Sequence, residues 1–289
     1  MVLKDVLSKG IEILRNAKIE TPEVDAGVIL CSVLKCDRVF LYTHSDDDLD
    51  DGVKKRFFDA ISSRSSGMPV QYITGRQEFM SLEFNVNSHV LIPRHDTEVL
   101  VETVMAFAEN CRPSGHALQI LDIGTGSGCI AVSLAYYIEN CHVTAVDISE
   151  EAIKTAYENS EINGVKHKID FKRSNLFESL KGERFDIIVS NPPYIPAGDI
   201  GGLQKEVKDF EPLTALDGGE DGLNFYRAII AEAPDFLKPD GLIAFEVGYN
   251  QAGAVSEMLR DCFYGVGTVK DLGGIDRVVY GRCKGSING

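Results

Sequence analysis

The chain has 289 residues, 44% hydrophobic and 25% charged, the composition of an ordinary globular protein with room for one large domain and a small one. Lys and Arg total 29 against 44 Asp and Glu, a formal net charge of −15 that repels phosphate backbones and argues against direct nucleic-acid partners. No apolar run is long enough to span a bilayer and no basic-then-apolar leader opens the sequence, so the cytoplasm is the expected setting, with no membrane partner.

The seven cysteines (Cys31, Cys36, Cys111, Cys129, Cys141, Cys262, Cys283) form no CxxC pair and read as reduced, buried thiols. The six histidines are dispersed, and no metal is expected. Strong acidity suits a protein substrate that is itself basic.

Residues 1–67 read as a small helical bundle whose expected role is partner recognition. Leu3, Val6, Leu7, Ile11 and Leu14 recur at helical spacing. Thr21 is read as the N-cap ahead of Pro22 at the first position of a helix reaching Leu34. Asp37 is placed to cap a short turn over residues 39–42, and Val53, Phe57, Phe58 and Ile61 mark the apolar face of another helix. The acids Asp46-Asp47-Asp48 and Asp50-Asp51 read as a solvated loop feeding that helix's positive end. A cation loop would need alternating oxygen ligands and a glycine, which are missing.

Residues 68–90 read as a connector. Leu82, Phe84 and Val86 alternate with Glu83, Asn85 and Asn87, predicting a strand paired with residues 77–80 as a hairpin. The third segment, residues 91–289, opens on Leu91-Ile92-Pro93-Arg94, followed by Asp96-Thr97 as an N-cap pair for a helix over 98–108. Arg94 is read as an anchor, the other reading being contact with an anionic group.

Beyond residue 117 strands and helices alternate, the α/β pattern of a mostly parallel sheet wrapped by helices. Strands are predicted over 117–123, 142–147, 169–171, 185–191 and 241–247, with helices over 127–137, 149–163, 222–237 and 250–262. Two last strands, over 268–272 and 278–282, turn at Gly273-Gly274 and suit antiparallel closure, giving seven in all.

Leu121-Asp122-Ile123-Gly124-Thr125-Gly126-Ser127-Gly128-Cys129 follows the first of these strands and opens a helix. Glycines there let main chain approach a ligand at a helix N-terminus. The spacing is G-x-G-x-G, and Cys129 occupies the place a dinucleotide fingerprint gives to a small residue, which weakens a pyrophosphate reading. Asp147 ends the next strand about 20 residues on, where a carboxylate either accepts ribose hydroxyls or caps the helix beginning near Ser149. Asn175-Leu176-Phe177 either flanks an adenine or places Leu176 and Phe177 in the core.

The run Val189-Ser190-Asn191-Pro192-Pro193-Tyr194 parks an amide at a strand's carboxyl end, because two prolines cannot continue the ladder. The Asn191 side-chain carbonyl and the stiffened Pro192 carbonyl make a two-acceptor clamp suited to an –NH2 group. Tyr194 offers a flat face for a planar amide or base. The plainer reading is a turn, since Asn-Pro starts turns often.

Asp122 to Gly128, Asp147 and Asn191-Pro192-Pro193-Tyr194 together resemble S-adenosylmethionine-dependent methyltransferases of the seven-stranded, Rossmann-like class that act on planar nitrogens. Pro69-Val70-Gln71-Tyr72-Ile73-Thr74-Gly75, Glu78-Phe79, Leu91 to Arg94 with Asp96-Thr97-Glu98, and Phe210-Glu211-Pro212-Leu213-Thr214-Ala215-Leu216 are similar to the HemK/PrmC family. That resemblance covers the whole chain. It implies methylation of the glutamine side-chain nitrogen in the Gly-Gly-Gln loop of class 1 peptide chain release factors, with S-adenosyl-L-methionine as donor. It implies that Gly124, Thr125, Gly126, Ser127 and Gly128 hold the methionine part of the donor, Asp147 the ribose and the Leu176 neighbourhood the adenine. Asn191, Pro192, Pro193 and Tyr194 would take the substrate amide, with Asn191 also touching the donor. His95 stands where relatives are expected to carry proline, and Leu176 where some carry an aromatic. The rival enzyme reading is methylation of adenine or guanine amino groups, which the same clamp would serve on a flipped base. A donor-binding sensor without catalysis would need a broken clamp, and all four motif residues are present.

Overall fold

A computed structural model describes residues 1–110 and 116–284; Cys111 lies outside them. The other six cysteines carry free thiols. The chain divides into two compact units, Met1–Arg76 with Gln204–Phe210, and Gln77–Leu203 with Glu211–Gly289. The division falls inside the stretch read as a connector.

The first unit holds helices α1 (Leu3–Asn16), α2 (Pro22–Leu34), α3 (Arg38–Thr43), α4 (Asp51–Ser65) and α5 (Val70–Thr74). Their apolar stripes close on Leu3, Val6, Leu14, Ile29, Leu30, Phe57 and Ile61. Asp37 caps α3 by accepting from Phe40 N at 2.8 Å, and Asp50 caps α4 by accepting from Val53 N at 2.9 Å. Thr21 departs from expectation: its hydroxyl makes no cap and donates instead to Asp25 Oδ1 at 2.9 Å. Asp25 is committed elsewhere in the fold, accepting from Arg64 Nε at 2.6 Å in a buried pair. A second Arg64 nitrogen reaches Glu206 Oε1 at 2.6 Å and ties residues 204–210 to the bundle. Within the stretch read as connector, residues 70–74 wind into α5, which stops at Gly75, whose φ of 74° is left-handed.

The second unit begins with a hairpin, β1 (Arg76–Phe79) and β2 (Leu82–Asn85). Met80 and Ser81 both take positive φ, 50° and 57°, the two-residue turn whose twist matches paired strands. Then follow α6 (Glu98–Asn110), β3 (Leu118–Ile123), α7 (Cys129–Tyr137), β4 (Cys141–Asp147), α8 (Glu150–Ile162), β5 (Ile169–Arg173) and β6 (Phe185–Ser190). The short α9 (Lys205–Lys208) belongs to the first unit. The chain ends with α10 (Asn224–Phe236), β7 (Leu237–Glu246), α11 (Ala252–Cys262), β8 (Phe263–Lys270) and β9 (Asp276–Cys283).

The seven-stranded sheet runs in the order β5-β4-β3-β6-β7-β9-β8, with β9 antiparallel to both of its neighbours. Alternate residues feed two cores, so both faces are buried and the strands read as continuous apolar runs. Ile120, Ile187, Val189, Leu242 and Ala244 pack with α6, α7 and the hairpin. Leu121, Ile188, Ile243 and Phe245 pack with α10 and α11 on the opposite face. Strand order reverses beside β3, which places the crevice at the carboxyl ends of β3, β4 and β6.

Several strands run longer than the pattern predicts, and β7 and β8 begin well ahead of their expected starts. β7 starts at Leu237, with its register shifted against β6 between Phe185 and Ile187. β8 starts at Phe263 rather than at 268. A break in its pairing between Tyr264 and Gly267, with Gly265 at φ 59°, interrupts the two-residue period that would have revealed it.

Candidate active site

A cavity of about 460 Å³ opens at that crevice, lined by the loop after β3, the end of β4, Leu176, and Asn191 to Pro193. Its volume falls within the range of small-molecule sites, about 300–1,000 Å³. Gly124 N and Thr125 N both donate to Val146 O, at 2.9 and 3.0 Å, which folds the loop back over the sheet edge. The Thr125 hydroxyl donates to Asp122 Oδ2 at 2.7 Å, so Asp122 braces the loop from below. Gly124, Thr125, Gly126 and Ser127 line the cavity. Gly128 does not; a Cβ there would stand 2.8 Å from Ala156 Cβ, so this glycine serves the close approach of α8.

Asp147 lines the cavity at the end of β4. Its Oδ2 accepts from Gly126 N and its Oδ1 from Ser149 N, each at 2.9 Å. The helix cap itself is Ser149, whose hydroxyl accepts from Ala152 N at 3.1 Å. Each Asp147 oxygen keeps acceptor capacity for a ligand hydroxyl. Burial raises the carboxyl above its ordinary value, while the amides of Ser149 and Gly126 oppose that rise.

The Leu176-Phe177 alternative splits between the two residues. Leu176 lines the cavity, held at φ 50° with its carbonyl accepting from Ser174 Oγ at 2.9 Å. Phe177 is core, stacked on Phe236 with ring centroids 4.5 Å apart. Arg94 is an anchor, 2.6 Å from Glu211 Oε1, and it also faces the cavity.

In the Asn191-Pro192-Pro193-Tyr194 run, the first three residues line the cavity. Asn191 Nδ2 donates to Thr97 Oγ1 at 3.2 Å, which leaves Oδ1 as the end able to accept from a ligand. Tyr194 is not among the lining residues; its hydroxyl donates to Glu246 Oε1 at 3.4 Å and its ring packs against the second core. In this conformation the expected stacking face lies behind the motif. Gln251 clasps the motif's far end, donating from Nε2 to Tyr194 O at 2.9 Å and to Gly222 O at 3.2 Å.

Thr97, Glu246 and Gln251 carry this arrangement, and none stood out in the sequence as a site residue. Asp96-Thr97 was expected to cap α6. Instead a 3₁₀ turn over His95–Thr97 leads into the helix, Asp96 pairs with Arg277 at 2.9 Å, and Thr97 turns to Asn191. Glu246 is 1% exposed. Burial pushes its carboxyl up to about 7, against the Thr97 hydroxyl and Arg277, which favour the charged form. Burial likewise pushes Asp122 up to about 7, opposed by the Thr125 hydroxyl.

Both acids ionise in the unfolded chain near their ordinary values of 4.5 and 3.8. Between those values and about 7 the folded state holds more protons, so their contribution to stability is full at low pH and is lost as pH rises through about 7. The expected result is a lower urea midpoint at pH 8 than at pH 5.5, with Glu246→Gln showing a shallower decline than the wild type.

Among the described residues, no group of three His, Cys, Asp or Glu is placed to hold a metal, and no helix is long and apolar enough to cross a membrane. Two family models match the chain, the PrmC N-terminal domain over residues 5–75 and the methyltransferase small domain over residues 95–201. A protein of Clostridium acetobutylicum named release factor glutamine methyltransferase is 41% identical over 282 residues, covering 96% of this chain and 98% of that one. A Geobacter sulfurreducens protein of the same name is 45% identical over 279 residues, covering 95% and 91%. Among solved structures, a methyltransferase from Pyrococcus furiosus superposes with a TM-score of 0.51 at 22% identity, over 71% of this chain and 90% of that one, a likeness of fold.

Proposed function

The chain belongs to the release factor glutamine methyltransferase family, and we propose that it transfers a methyl group from S-adenosylmethionine to the glutamine side-chain nitrogen of the Gly-Gly-Gln loop of class 1 release factors. The observation that carries this reading is the Asn191 amide, held by Thr97 with its oxygen left to accept, in the same cavity as the glycine loop and Asp147.

The residues present fit the donor. The main chain of Gly124 to Ser127 suits the methionine part, the Asp147 carboxylate two ribose hydroxyls, and Leu176 an adenine face. When bound, the donor supplies an electrophilic methyl on a sulfonium. The chain's own task is to orient a poor nucleophile, since an amide nitrogen's lone pair is delocalised into its carbonyl. Asn191 Oδ1 and the Pro192 carbonyl each accept one N–H, aiming the nitrogen and stabilising the positive charge that develops on it. No strong base is needed, because the proton leaves after the new bond forms. Tyr194 braces the motif from behind, through Glu246. The helical first unit is assigned to recognition of the release factor, and the setting to the cytoplasm.

Mass spectrometry of a purified release factor after incubation with enzyme and S-adenosylmethionine tests the assignment. One added methyl on the loop glutamine is expected. Methyl transfer to adenine in an oligonucleotide, with none to the release factor, would overturn it in favour of the amino-group reading.

A further inference from the structure

We propose that the groove between α6 and the β8–β9 hairpin docks the body of the release factor, taking apolar side chains beside the loop glutamine while the glutamine itself enters the cavity. The inference rests on the amide-methylation reading above and adds a second contact surface on the catalytic unit.

An open groove of about 1140 Å³ is walled by α6 and by the tip of the hairpin. Val269 and Tyr280, on the face of the sheet turned toward α6, form its floor. Its position follows from the topology. β7 runs parallel to β6, and β9 returns along β7 with Val278 opposite Glu246, the last residue of β7. The turn over 271–275 therefore stands at the same edge of the sheet as Asn191. Arg277 ties it there, pairing with Asp271 at 3.2 Å and with Asp96 at 2.9 Å. Asp96 belongs to a stretch that walls both spaces: Arg94 and Thr97 line the cavity, while His95, Asp96 and Glu98 line the groove. A protein with one side chain in the cavity meets the groove next.

The basic groups of the groove are satisfied within the chain. Arg277 is shared by two acids, Lys270 pairs with Asp276 at 3.3 Å, and Arg282 donates to Asp240 O at 3.0 Å. The surface left for a partner is mainly apolar. Val99, Phe107, Val269 and Tyr280 are partly buried, Ile275 is 40% exposed and Leu272 fully so. Glu102 adds a negative charge on the α6 wall, which suits a partner that is not itself acidic. The turn that holds Leu272 out is tightly built: Asp271 N donates to Ile275 O at 2.9 Å, and Ile275 N donates to Asp271 Oδ1 at 3.0 Å. An apolar side chain on a preorganised turn binds with little ordering cost.

Contact area points the same way. A specific protein–protein interface buries about 800 Å² on each partner. One glutamine side chain, in a cavity that also holds the donor, supplies a small part of that. A protein substrate therefore needs a further surface beside the cavity, and the groove adjoins it.

The test compares the wild type with Leu272→Asp and Ala106→Lys, exposed positions on opposite walls given opposite charges, and with Ile162→Asp, exposed but outside the groove. The readouts are kcat and KM for release factor methylation, release factor affinity of the enzyme bound to S-adenosylhomocysteine, donor affinity, thermal midpoint and sedimentation. Leu272→Asp and Ala106→Lys should each raise KM for the release factor about 10-fold, the loss expected at an interface anchor, and weaken its binding to match. Their kcat at saturation, donor affinity and thermal midpoint should stay at wild-type values, and Ile162→Asp should match the wild type throughout. Unchanged KM in both groove variants, or a fall in kcat alone, would overturn this inference and leave the functional reading standing. So would a wild-type dimer that Leu272→Asp disperses with KM unchanged, since the groove would then belong to a second copy of the chain. A wild type that methylates no release factor would overturn the functional reading and this inference with it.

Discussion

Asn191→Ala is expected to slow methyl transfer to the release factor glutamine by about 10²- to 10³-fold, the loss that follows removal of one preorganised partner of transition-state charge. S-adenosylmethionine affinity should stay within a few-fold of wild type, because the glycine loop and Asp147 do not depend on that side chain for their own hydrogen bonds. The expectation follows from what the substrate lacks. An amide nitrogen gains nucleophilicity only as its lone pair is released from the carbonyl, and two acceptors on its hydrogens favour that release as positive charge builds. Alanine removes one acceptor and leaves the Thr97 hydroxyl to find another partner. Single-turnover kinetics with a release factor, set beside calorimetric donor titration, separates the two effects. Near-normal turnover with intact donor binding would show that the clamp is not the source of rate.

Part of this site was legible because its chemistry is local in the chain. Two prolines stop β6 whatever surrounds it, so Asn191 had to stand at a strand end. The glycine run and Asp147 are placed by the strands that precede them, and the sheet order then brings all three to one crevice. Thr97 was hidden because an Asp-Thr pair ahead of an apolar periodic stretch has the chemistry of a helix cap, and its real partner lies 94 positions away. Glu246 ends an apolar strand and reads only as that strand's boundary. For Tyr194 the sequence supplies the ring but not the side of the motif on which it falls, which the packing against the second core decides. Leu176 and Phe177 could not be separated by period, because they lie in the turn beyond β5, where no strand alternation assigns sides and the backbone at Leu176 is left-handed.

Gly128→Ala is expected to destabilise the second unit by about 2–5 kcal/mol, summing about 1–2 kcal/mol for a left-handed non-glycine residue and about 1–3 kcal/mol for overpacking. The residue sits at φ 80°, and an added Cβ would meet Ala156 Cβ at 2.8 Å and Ala156 Cα at 3.0 Å. One of those neighbours is backbone, so relief requires α8 to move. That helix carries Asn159, fully buried, whose Nδ2 donates to Ser127 O at 2.8 Å and to Asn85 O at 2.9 Å. Displacing α8 therefore loosens the glycine loop and the hairpin together, and donor affinity should fall with the thermal midpoint. Gly182→Ala provides the comparison: its φ is 85°, and nothing lies within 4 Å of the added Cβ. It carries the backbone cost without the contact, so its loss should be the smaller by the overpacking share. Denaturant unfolding of both variants measures that share directly. Equal losses would mean that Gly128 is required for the turn alone, and that α8 approaches the loop closely for some reason other than the missing side chain.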